Sequence, residues 1–160
     1  MKTFLESFYN TQELLPTTTF TEVLNLKHIL VYRSSARPDK SGYESGSHAG
    51  TKQQALIRAD YMLNDDEQYE KYYLYELVID TGKVYPTLLG DNGQDHGYDY
   101  SLDLSGKYDT AFYKNTGEGD VRNENLSIII VNPKSVISNR MVGELTTEYL
   151  LSIQGELYKS

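Results

Sequence analysis

The chain has 160 residues, a formal charge of −8, fifteen tyrosines, no tryptophan and no cysteine. That length fits one domain able to bury a real core, and the charge argues against a non-specific grip on nucleic acid, whose phosphates are held by clustered Lys and Arg. Without cysteine there are no disulfides, no thiolate nucleophile and no Cys-ligated zinc.

The opening stretch, MKTFLESFYNTQELLP, has glutamates inside its apolar part and does not read as a secretion signal. No apolar run approaches the roughly 20 residues of a membrane span. A single domain over 1–160, soluble and cytoplasmic, is the expectation. TTTFTEVLNL (17–26) fits either a short helix or an extended lead-in. KHILVYRSS (27–35) is a short apolar, β-rich run ending in small polar residues, which predicts a strand opening onto a loop. Thr51 and Gln54 have capping-box spacing, and Leu56, Ala59, Met62 and Leu63 follow at helical intervals, so a helix starts there and ends within NDDEQYEKY.

YLYELVID (73–80) alternates as a strand and DTGK is its turn. Residues 85–107 read as one long, loop-like segment, a feature that in compact domains is usually functional. YDTAFYKN (108–115) is a short strand, TGEGDVRNEN a turn-rich loop, and LSIIIVNP (126–133) a buried strand stopped by Asn132 and Pro133. The tail, VGELTTEYLLSIQGELY, fits helix or strand. Together these elements predict an α+β protein with a largely strand-built core.

Three places put polar residues where sites are commonly built, at strand ends and in loops. Arg33, with Ser34 and Ser35, follows the first apolar strand, and an arginine there could hold a phosphate by bidentate bonds or simply make a surface ion pair. His48 lies between Gly46 and Gly50, just before a helix N-terminus, where a histidine is as easily a turn residue as a ligand contact. Glu118 stands between two glycines in a loop joining two strands, able to stabilise positive charge or to be an ordinary solvated acid. Glu124 is near enough in sequence to compete with it. DNGQDHGYD (91–99) departs from a calcium loop at Gly93, His28, His48 and His96 lack zinc spacing, and no phosphate-loop or dinucleotide glycine motif is present, so no metal is expected.

In order along the chain, ILVYRSS, SGSHAGTKQQALIRA and KYDTAFYKNTGEGDVRNENLSIIIVNPKSVI resemble the three motifs of the ADP-ribosyltransferase superfamily, particularly its small phage-encoded and polyvalent-protein branches. The third is the most specific: Tyr113, Asn115 and Glu118 keep the spacing Y-x-N-x-x-E, and NPKSVI follows. The resemblance spans about residues 27–140. It implies a split β-sandwich with few flanking helices and a cleft for NAD, the substrate. It implies a catalytic set of Glu118, Arg33 and His48 and a nucleotide-contacting set of Tyr32, Arg33, Ser34, Gly46, Ser47, His48, Thr51, Tyr113 and Asn115. Arg33 would hold phosphate or ribose oxygens, Ser47 and His48 would shape the nicotinamide side, and Glu118 would stabilise the oxocarbenium-like transition state. Thr116 stands where arginine-modifying relatives carry Glu or Gln, so arginine is not implied as the acceptor. The expected function is ADP-ribose transfer to a host protein or nucleic acid, with NAD hydrolysis if water accepts. A different class of function, an acidic inhibitor covering a basic surface of a host defence or DNA-binding protein, also fits the charge.

Overall fold

The computed structural model describes residues 11–38, 45–65, 69–90, 97–119 and 122–159. Two sheets and four helices make up the described chain, a mixed α+β architecture. In chain order these are β1 (Gln12–Glu13), α1 (Phe20–Val23), β2 (His28–Ser35), β3 (Ser47–Ala49), α2 (Lys52–Asp65), β4 (Lys71–Asp80), α3 (Gly97–Leu104), β5 (Thr110–Lys114), β6 (Leu126–Ile130), β7 (Val136–Thr146) and α4 (Thr147–Leu157), with a 3-10 turn at Pro133–Ser135. The first sheet runs β1-β2-β4-β7 and the second β3-β6-β5. No helix among the described residues is long and apolar enough to cross a membrane.

The central strands are apolar at consecutive positions because both of their faces are covered. On β2, Ile29 and Val31 join Leu77 and Ile79 of β4, Phe112 of β5 and Ile128 and Ile130 of β6 in the core between the sheets. The alternate residues Leu30 and Tyr32 turn to the other face, against Ala55, Ile57 and Ala59 of α2 and Leu150 and Leu157 of α4. Ala111, Tyr113 and Ile129 bury the outer face of the second sheet under Leu104 of α3. The layers are therefore helices, sheet, sheet, helix.

Several local signals act as the sequence predicts. Thr51 and Gln54 form a reciprocal capping box, with Thr51 N donating to Gln54 Oε1 and Gln54 N to Thr51 Oγ1, each at 3.1 Å. Asn132 caps the 3-10 turn by accepting from Lys134 N, and Pro133 follows it, which ends the β6 run. The lead-in after residue 17 contains the short helix α1, begun by a Thr19–Glu22 capping box. Two expectations need correction. The loop-like segment 85–107 contains α3, which forms because Leu104 and Ser101 bury against the second sheet. The tail is neither helix nor strand alone: β7 runs to Thr146, whose hydroxyl accepts from Tyr149 N and starts α4. The candidate calcium loop lies largely outside the described residues, as does His96.

Among the described residues, one backbone-bridged pair joins β2 to the end of β3. Tyr32 N donates to Gly50 O at 2.7 Å and Gly50 N to Tyr32 O at 3.0 Å, an isolated antiparallel bridge. Beyond it, Arg33–Ser35 continue in the first sheet while Ala49–Ser47 belong to the second, so the strands part. Glycine is needed here because a Cβ would lie 1.8 Å from Gln54 Oε1 and 3.1 Å from Ser127 Oγ, both held in place by hydrogen bonds. Gly50→Ala should cost roughly 2–4 kcal/mol in urea unfolding, through overpacking and loss of buried hydrogen bonds. Gly143→Ala, where an added Cβ meets nothing within 4 Å, should stay within about 0.5 kcal/mol of the parent. Equal stabilities for the two variants would contradict this reading of the junction.

Candidate functional site

Where β2 and β3 part, a cleft of about 250 Å³ opens. Tyr32, Arg33 and Ser34 line it from β2, Ser47, His48 and Ala49 from β3, and Gln54, Ala55 and Arg58 from α2. Gly46, Gly50, Tyr113, Glu118 and Ser127 complete the wall. Gly46, Ser47, Ala49, Gly50 and Ala55 are the small residues of that lining.

Arg33 Nη1 donates to His48 O at 2.8 Å, a charge-assisted bond that ties the two diverging strands across the gap. The His48 ring lies edge-on to Tyr113, centroids 5.4 Å apart, with its Nδ1 3.0 Å from the Tyr113 hydroxyl. Ring orientation is thereby set from β5, one strand beyond β6. Ser34 is 7% exposed, and its hydroxyl finds no hydrogen-bond partner among the described residues. A buried hydroxyl in that state costs about 1–3 kcal/mol, and the residue borders the cleft.

Glu118 is half-buried and is carried by a loop fixed from beneath. Asn115, 1% exposed, accepts from Gly117 N and Glu118 N through Oδ1 and donates from Nδ2 to Glu118 Oε1 at 3.0 Å. The same Nδ2 reaches Ser127 Oγ at 3.1 Å, and Ser127 Oγ donates to Gln54 Oε1 at 2.7 Å. Gln54 Nε2 in turn donates to Asn125 O, Asn125 Oδ1 and Leu126 O. Asn125 adopts a left-handed φ of 47° and its side-chain amide bonds Asn115 O and Glu118 O, closing the loop. The charged group thus stands at the end of a buried, mutually satisfied amide network running back to the first turn of α2. Burial pushes the Glu118 carboxyl above the usual glutamate range; the Asn115 hydrogen bond and the Arg58 guanidinium partly offset that.

Of the residues singled out from the sequence, Tyr32, Arg33, Ser34, Gly46, Ser47, His48, Tyr113 and Glu118 all border this one cleft. Thr51 and Asn115 do not: both are buried behind it, Thr51 as helix cap and Asn115 as the brace of Glu118. Glu124 is elsewhere, its carboxylate accepting from Phe20 N at the start of α1. Arg58, Gln54, Asn125 and Ser127 were not legible as site residues. Arg58 had one available signal, since it follows Gln54 by four residues on a helix and so shares its face. No protein-family model, curated protein or solved structure matches the chain.

A carboxyl that titrates higher in the folded than in the unfolded chain makes the native state bind its proton more tightly. Stability then falls as pH rises from the ordinary glutamate value of 4.5 to the raised one, and remains lower above that interval. Glu118→Gln keeps an acceptor for Asn115 and removes the penalty. Urea titrations should find the variant more stable than the parent near neutral pH, with the gap closing toward about pH 4. A gap that does not change with pH, or a parent more stable at neutrality, would contradict the burial of a charged Glu118.

Proposed function

We propose that the cleft binds NAD and that the protein transfers ADP-ribose to a host macromolecule, releasing nicotinamide. The observation that carries this reading is the convergence of Arg33, His48, Tyr113 and Glu118 on one cleft, at the point where two sheets separate. The order of sequence motifs supplies the chemistry, and the cleft supplies a place for it.

As the bond between the ribose C1′ and the nicotinamide nitrogen breaks, its electron pair leaves with neutral nicotinamide and positive charge spreads over C1′ and the ring oxygen. A carboxylate fixed beside that carbon, in surroundings drier than bulk water, stabilises the charge without having to reorganise. Glu118 meets that description: its partners hold it in one position, and Arg58 and Asn115 favour its ionised form. The enclosed volume, just below the roughly 300 Å³ at which ordinary small-molecule sites begin, suits the nicotinamide nucleoside half, with the rest of NAD on the open side. His48, oriented by Tyr113, acts as a positioning group for the ribose or the amide.

Incubated with labelled NAD and host lysate, the protein should release nicotinamide and label a macromolecule, and Glu118→Gln should lower the rate at least about a hundredfold while folding normally. Release without label transfer would identify water as the acceptor. Absence of both, or full activity in Glu118→Gln, would sink the proposal; a partner that co-purifies equally with parent and variant would then favour a binding protein.

A further inference from the structure

We propose that Arg58 forms an oxyanion subsite at the rim of the cleft, taking the phosphate of a bound nucleotide. The inference takes the identity of the nucleotide from the NAD reading, but the subsite itself stands on the cleft alone.

Arg58 is exposed on α2, one turn beyond Gln54, and borders the cleft together with Glu118. With 23 acidic against 15 basic side chains, carboxylates in this chain readily capture cations. Arg140 holds Glu76 at 2.7 Å and Lys71 holds Glu144 at 3.5 Å. Arg58 makes no such pair and no hydrogen bond among the described residues; its felt countercharge is Glu118 across the rim. Arg33, the other cation of the wall, is already engaged, with Nη1 on the His48 carbonyl. It acts as a tie between strands, whereas Arg58 has no hydrogen bond among the described residues to hold it.

A guanidinium donates only, so a ligand that satisfies Arg58 must be rich in acceptors. Phosphate oxygens fit, and a guanidinium matches them with two parallel bonds. A nucleoside would occupy the cleft while leaving Arg58 without a partner. A nucleotide would engage both.

The parent chain and Arg58→Gln are to be titrated with nicotinamide mononucleotide, nicotinamide riboside and inorganic pyrophosphate, followed by calorimetry and by the arginine Nε–Hε NMR signals. The mononucleotide should bind the parent about tenfold more tightly than the riboside. Arg58→Gln should erase that gap, and pyrophosphate alone should shift the Arg58 signal. Equal affinities in the parent, or a gap that survives the substitution, would overturn the subsite. If neither nicotinamide compound binds while pyrophosphate still moves Arg58, the subsite stands and the NAD reading falls. If pyrophosphate also leaves Arg58 unmoved, both fall.

Discussion

Gly50 is where the architecture is decided. Its backbone makes both hydrogen bonds of the Tyr32–Gly50 bridge, and Gln54 occupies the space its missing side chain leaves. Without that space the capping glutamine could not reach Asn125 and Ser127, and the loop bearing Glu118 would lose its anchor. One residue therefore couples the parting of the sheets, the start of α2 and the placement of the acid. The coupling is steric first: a methyl group at this position would collide with an amide that has nowhere to go.

The site inherits its character from that junction. Polar side chains this deeply buried stay there only if every donor and acceptor is used, and the network of Gln54, Asn115, Asn125 and Ser127 comes close to that condition. It ends in the partly desolvated Glu118 carboxyl. A partly desolvated acid bordering a cleft is a group expected where a ligand binds. The α4 end is drawn in as well, through Gln53 Nε2 donating to Leu157 O at 2.9 Å and the Tyr158 hydroxyl bonding the Asp60 carboxylate. Burial and that carboxylate push the Tyr158 hydroxyl up to about 12, so it stays protonated and keeps the contact at neutral pH.

Elements whose signal is local were legible in the sequence. β2, β4 and β6 are apolar runs with β-branched residues, and α2 announces itself by its capping box. β7 escaped notice because it is an exposed edge strand with two register shifts against β4, which destroy the period of two. α3 escaped because its helical signal is short, Tyr100 and Leu104 one turn apart amid glycines and aspartates. The site divides the same way. Arg33, His48 and Glu118 stand out at strand ends and in glycine turns, whereas Asn125 and Ser127 matter through contacts with Asn115 and with Gln54, the latter 71 and 73 residues away. Separations of that size have no signature in one sequence.

The central claim is that this cleft is a nucleotide site with Glu118 at the bond that breaks, and diffraction from crystals soaked in NAD tests it most directly. Density for a nicotinamide riboside is expected between β2 and β3, with the ribose C1′ beside the Glu118 carboxylate. A cleft without ligand density at saturating NAD, or NAD bound away from Glu118, would contradict it.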